Sequence, residues 1–249
     1  MVPLEGDVEI RSKGKFSIGK EGIVNVHENL RPNEQYTITA DIPEGMNSLS
    51  GIKLEIPASE AGDPSWALTE IEVRVIQGEL SEKVAGELKD EEKKKAEPPL
   101  KLVNSSATFD SPQTNVANAH DGMRANHTRG WSVPGRFDED HEASFELKKP
   151  VALSKGSKIK IVLGQVEFNR PIKRFRLWVS EEEKPLPAVP LSLASALEKP
   201  ERKRSRQEKA ELTSFFARYD SDSLESHRVI SKEKAKYDAI KAMTTVPIR

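Results

Sequence analysis

The chain contains no cysteine. That absence excludes disulfide staples, thiolate nucleophiles, cysteine-type zinc sites and covalent haem attachment through a Cys-x-x-Cys-His motif. It leaves the compartment open, because cysteine-free chains suit cytosol and periplasm alike. An excess of one charge is missing too: 39 basic side chains face 40 acidic ones, for a formal net charge of -1. A chain so balanced exerts no general pull on nucleic acid or anionic membrane, which requires concentrated Lys and Arg. The one dense basic run, Lys199-Pro200-Glu201-Arg202-Lys203-Arg204, is short and reads as the solvated entry to a helix. No stretch approaches the ~20 apolar residues of a membrane span. The opening Met1-Val2-Pro3-Leu4-Glu5-Gly6 lacks the basic and apolar regions of a signal peptide, so the chain is expected to be either cytosolic or an internal piece of a longer protein. Nucleophile-elbow, P-loop and dinucleotide fingerprints are absent, and no enzyme activity is expected.

Hydrophobic residues make up 36% and charged residues 32%, so the apolar material has to be concentrated in segments. Those segments alternate. Tyr36, Ile38, Ala40 and Ile42 fall on one side of a period-2 pattern, as do Ile52, Leu54 and Ile56, and then Ile71, Val73 and Val75 after Trp66-Ala67-Leu68-Thr69-Glu70. Residues 100–109 resume the pattern, followed by Ala143, Phe145 and Leu147, by Ile159, Ile161 and Leu163, and by Phe175, Leu177 and Val179. One buried and one wet face per strand suits antiparallel pairing in a sandwich better than a parallel α/β sheet. The fold class is therefore mainly β, a sandwich over residues 1–183, interrupted by a charged excursion near 79–99.

Beyond Glu183 the pattern changes. Pro185, Pro187 and Pro190 mark a rigid linker over 184–203, and Ser205-x-x-Glu208 is a capping box ahead of Leu212, Phe215, Phe216 and Tyr219 at helical spacing. A helical tail is expected over 204–249, with a second, polar helix from Ser221 to Ser223 toward Met243 that leans on a partner domain or frays.

The densest polar constellation runs from Asn115 through His120, Asp121 and Gly122 to Asn126, His127, Thr128, Gly130 and Trp131. A carboxylate, several amide oxygens and a glycine turn ahead of an aromatic fit a calcium-stabilised loop built on Asp121, or a sugar-facing edge. They fit equally a structural corner in which Asp121 holds backbone amides and Trp131 plugs the core. His120, His127 and His141 lie at intervals of seven and fourteen, which matches no standard zinc template, and Asp138-Glu139-Asp140 reads as a solvated acidic loop.

An ordered series begins at the same place: Ala119-x-Asp121-Gly122, Thr128-x-x-Trp131, His141-x-Ala143-x-Phe145-Glu146, Pro150-Val151, Gly156-Ser157-Lys158-Ile159-Lys160-Ile161 and Lys173-Arg174-Phe175-Arg176-Leu177-Trp178-Val179-Ser180. Together with Tyr36-Thr37-Ile38, Ile52-Lys53-Leu54-Glu55, Leu68-Thr69-Glu70-Ile71-Glu72-Val73 and the tail from Leu186 through Tyr219, it resembles the discoidin-like (galactose-binding-like) module between the two uncharacterised conserved domains of large planctomycete-type cytochrome c-associated proteins. The resemblance implies a jelly-roll β-sandwich, an exported, periplasmic or extracellular parent, and a role in holding carbohydrate or positioning neighbouring domains. Two departures stand out: the glycine-rich loop before the Leu68 strand is shortened to Ala61-Gly62-Asp63-Pro64-Ser65-Trp66, and Trp178 replaces a small polar residue in the last strand.

With Phe175, Leu177 and Val179 facing inward, Arg174, Arg176 and Trp178 should share the opposite face. An outward Trp beside Arg can stack on a sugar ring or a partner side chain, or be covered by a loop or the C-terminal helix. The leading expectation is a non-catalytic, carbohydrate-binding accessory module whose ligand meets Asp121, Asn126, Thr128 and Trp131, or the face bearing Arg176 and Trp178. The alternative is an architectural spacer or protein–protein interaction module packed against flanking domains. A metal-dependent hydrolase is the third reading. No cofactor is expected in the chain beyond a calcium ion at Asp121.

Overall fold

The computed structural model describes residues 1–4, 8–12, 14–27, 34–58, 65–78, 98–123, 130–166, 171–185, 187–217 and 219. The chain divides into two compact units, residues 1–190 and residues 191–249. In the first, eleven strands are seen among the described residues: β1 (Val2–Pro3), β2 (Val8–Arg11), β3 (Phe16–Ile18), β4 (Val24–Val26), β5 (Glu34–Asp41), β6 (Ser48–Ile56), β7 (Glu70–Ile76), β8 (Leu102–Ala107), β9 (His141–Ala152), β10 (Lys158–Gln165) and β11 (Arg174–Ser180). They form a seven-stranded sheet in the order β3-β4-β11-β6-β9-β8, with β1 also on β11, and a four-stranded sheet in the order β2-β5-β10-β7. Every pairing is antiparallel.

The alternation dictates this arrangement. Tyr36, Ile38 and Ala40 on β5 lie across the ladder from Leu163, Ile161 and Ile159 on β10, which in turn oppose Ile71, Val73 and Val75 on β7. Ile52 and Leu54 on β6 oppose Phe145 and Ala143 on one side and Val179 and Leu177 on the other. These side chains form one buried cluster between the sheets. Each large apolar side chain so buried contributes about 1.5–3 kcal/mol. Tyr36 stacks on Phe175 with centroids 5.9 Å apart, and its hydroxyl donates to the Ile172 carbonyl. Burial raises the Tyr36 pKa well above the usual phenol value. Two ladders are irregular, β6–β9 between Leu49 and Gly51 and β8–β9 between Val103 and Ser106.

The second unit is described as far as residue 219. Within the stretch expected to be a linker, Leu191–Glu198 form helix α1 directly after Pro190, because Leu-Ser-Leu-Ala-Ser-Ala-Leu-Glu is rich in good helix formers and proline is tolerated at a helix start. The Arg204 guanidinium donates to the Ala196, Leu197 and Lys199 carbonyls, closing the orphan acceptors at the end of α1. Helix α2 (Arg206–Phe216) opens with the expected capping box: the Ser205 hydroxyl accepts from the Glu208 amide and the Glu208 carboxylate accepts from the Ser205 amide. Helices α1 and α2 pack on each other. The expected second tail helix near 221–243 and most of the charged excursion, 79–97, lie outside the described residues. Among the described residues, no helix is long and apolar enough to cross a membrane.

Candidate functional site

The polar loop ahead of β9 is organised by its own short side chains. Asn115 opens a 3-10 turn over Val116–His120 by accepting from the Ala117 amide, and Asp110 accepts from the Val116 amide. Such local side-chain bonds are why Asn and Asp favour turns. Trp131 ends the loop. Its backbone bridges Leu68 through two hydrogen bonds of 2.8 and 2.9 Å, its indole Nε1 donates to the Phe109 carbonyl, and its ring meets Trp66 edge-on at 4.8 Å. Trp131 is fully buried, so it plugs the core and offers no ring face to a ligand. Gly130 makes that bridge possible. Its φ is +137°, and a Cβ there would meet the Leu68 carbonyl oxygen at 2.5 Å.

Asp121 is exposed and its Oδ1 accepts from the Met123 amide at 2.8 Å. Asn126 and Thr128, like His127, lie outside the described residues. Among the described residues, no three His, Asp or Glu side chains come together to hold a metal ion. His120 and His141 serve different structures. The His120 ring packs edge-on to Phe145, its Nε2 is 3.0 Å from the Ser105 hydroxyl, and burial lowers its pKa. His141 is fully buried with Nε2 2.7 Å from the Arg136 carbonyl and Nδ1 3.1 Å from the Thr108 hydroxyl. Because a carbonyl can only accept, Nε2 carries the proton. In the acidic loop, Glu139 pairs with Arg136, and Asp140 accepts from the Ala58 amide. These groups tie the loop to the sandwich.

The cluster that reaches solvent lies on the outer face of the large sheet. The register places Arg176, Glu55 and Glu142 in one row across β11, β6 and β9, and Trp178, Lys53 and Ser144 in the next. Glu55 is the hub. Its oxygens accept from Arg176 Nε at 3.1 Å, from Arg176 Nη2 at 2.9 Å and from Trp178 Nε1 at 2.9 Å. Arg176 Nη1 reaches the Glu21 carbonyl and carboxylate, both at 3.3 Å, pinning a turn in which Glu21 adopts φ 63°. The Glu55 carboxylate raises the pKa of the guanidinium it binds. The Trp178 ring has the Arg176 guanidinium 4.5 Å and the Lys53 ammonium 4.9 Å from its centroid, and Lys53 also pairs with Glu142 at 2.8 Å. Trp178 is half-buried, with its ring orientation fixed at the nitrogen edge.

The sequence pointed to Arg176 and Trp178 through alternation. It did not point to Glu55, Lys53 or Glu142, whose place beside them depends on strand order and register. An acidic and a basic residue two apart on an amphipathic strand was the only available hint.

No protein-family model, no curated protein and no solved structure matches this chain.

Proposed function

We propose that the chain is a non-catalytic accessory module of the jelly-roll, galactose-binding-like type. In this reading it recognises carbohydrate on the outer face of the large sheet and belongs to an exported, cytochrome c-associated parent. The single supporting observation is the Trp178 platform. A half-buried indole held by Glu55 has little side-chain freedom left to lose when a sugar ring stacks on it. The Arg176 guanidinium and the Lys53 ammonium lie over its ring, and Glu142 pairs with Lys53, so polar groups that can meet hydroxyls are at hand once a sugar displaces the flexible Lys53.

Affinity gel electrophoresis over a panel of neutral and acidic polysaccharides tests this. The native chain should be retarded on at least one, and Trp178→Ala should migrate freely there while remaining folded by circular dichroism. Equal retardation of both chains, or none on any polymer, overturns the reading.

A specific observation favours a second reading, the architectural spacer. Five contacts inside the chain already engage Arg176, and Trp178 Nε1 has its acceptor. A face with its polar valences met internally also suits packing against a neighbouring protein domain. In that case no polysaccharide retards the chain, and Trp178→Ala weakens association with the flanking domain instead.

A further inference from the structure

The Trp178 ring already has an occupant. Lys53 Nζ lies 4.9 Å from its centroid and 2.8 Å from a Glu142 carboxylate oxygen, so one primary ammonium sits between an indole and a carboxylate. The register produces this arrangement. Lys53 is directly across from Trp178 on β11, and Glu142 on β9 is its diagonal neighbour, one row along with Glu55 and Arg176. The other charges beside the ring are committed elsewhere. Glu55 and the Glu21 turn hold Arg176 through five contacts, and Glu55 also accepts from Trp178 Nε1. Lys53 hydrogen-bonds Glu142 alone, and the Glu142 carboxylate has no second partner among the described residues. Lys53 is thus the group that leaves when a sugar ring stacks on Trp178. Its departure uncovers the indole and strips Glu142 of its counter-ion in one movement.

We propose that the site takes an amino sugar, a hexosamine whose nitrogen is a free ammonium, and that Lys53 is its internal stand-in. This rests on the carbohydrate reading of Trp178 and names the class of sugar. A neutral sugar that displaces Lys53 leaves the Glu142 carboxylate without a cation, and an acidic one competes with Glu142 for the same ammonium. An amino sugar restores both lost interactions, ammonium to carboxylate and cation beside the ring, while its apolar face stacks on the indole. Glu142 is the more exposed of the pair, 36% against 18% for Lys53, so an incoming amine reaches it from solvent. A lysine of a partner protein brings the ammonium without a flat ring face, so it uses Glu142 and leaves the indole largely uncovered. Tethered Lys53 competes at an effective concentration on the order of millimolar. Affinity for the free sugar therefore stays weak until that ammonium is removed.

Tryptophan fluorescence titrations of the full chain with a glucosamine hexamer and its fully N-acetylated counterpart test the proposal, in mildly acidic buffer that keeps the sugar amines protonated. The native chain should bind the acetylated hexamer by stacking alone and the glucosamine hexamer roughly fivefold tighter, an increment that added salt screens. Glu142→Gln, which keeps the side-chain shape, should remove the preference, and Lys53→Met should tighten the glucosamine hexamer several-fold. Glu9→Gln, which deletes an exposed carboxylate on the other sheet, should change neither affinity. The assignment is overturned by equal affinity for the two hexamers, by a preference that survives Glu142→Gln or falls equally in Glu9→Gln, or by a lysine hexapeptide that binds as tightly. Each of those results leaves the carbohydrate reading standing. Binding of neither hexamer overturns the assignment too, and the polysaccharide panel then decides whether the carbohydrate reading survives.

Discussion

Trp178 and Glu55, 123 residues apart in the chain, are joined by a 2.9 Å hydrogen bond from the indole nitrogen to a carboxylate oxygen. The same carboxylate binds Arg176, so one side chain sets the orientation of both. Glu55→Ala therefore removes the acceptor of a half-buried guanidinium as well as that of the indole. The expected cost is about 1–3 kcal/mol in denaturant unfolding, together with stronger iodide quenching of tryptophan fluorescence, since Trp66 and Trp131 are buried. Glu55→Gln, which keeps an acceptor but not the charge, should fall between the two. Unchanged quenching in Glu55→Ala would mean that the hydrogen bond does not hold the ring.

His120 predicts an acid limb in stability. Burial depresses its folded pKa below the ordinary 6.5, with a backbone hydrogen bond and the Asp121 charge pulling the other way. As pH falls, the unfolded chain takes up this proton first, so the contribution is complete above about 6.5 and drains as pH drops toward the folded value. Asp110 has the opposite sign: burial raises its pKa, so its contribution is present at low pH and is lost as pH rises above the usual carboxylate range. Unfolding free energies measured from pH 7 to pH 5 should decline, and His120→Asn should flatten that decline. A native profile that is flat there, or equally steep in the variant, rejects the assignment.

Ser205→Ala should fray the start of α2. The capping box satisfies two backbone amides at once, and loss of such a cap costs about 1 kcal/mol. The Lys199 ammonium and the Ser205 amide hold the Glu208 carboxyl down to about 2, so α2 keeps this support above pH 4.5 and loses it as pH falls from there toward the folded value. Far-ultraviolet circular dichroism should show reduced helicity in the variant at neutral pH. The native chain should lose the same signal only in acid.

The calcium reading of Asp121 is tested by chelation. Its Oδ1 already accepts from the Met123 amide, so EDTA should leave the melting temperature unchanged and added calcium should not raise it. A calcium-dependent rise would place a metal on the loop.

Alternation made the sandwich legible because its signal is local. Tyr36, Ile38, Phe145, Ile161 and Phe175 each declare a face within their own segment, and each is buried on that face. Strand β1 lies outside the alternating stretch from 8 to 57 and, at two residues, carries no pattern of its own, while β3 and β4 lie inside that stretch but are three residues each, too short for their bounds to be read. Trp131 was ambiguous in sequence, since a loop-end Trp can face a ligand or the core, and only its bridge to Leu68 decides the matter. Strand order was the largest loss. Nothing local tells β11 that its neighbours are β4 and β6, so the pairing of Arg176 and Trp178 with Glu55 and Lys53 became visible only in three dimensions.

Three indole N–H signals are available to NMR, one for each tryptophan. Titrating the chain with a saccharide that retards it should move the Trp178 Nε1–H signal alone, leaving those of the buried Trp66 and Trp131 in place. Movement of the Trp131 signal in preference, or saturable binding that leaves all three unmoved, would contradict recognition at the outer face of the large sheet.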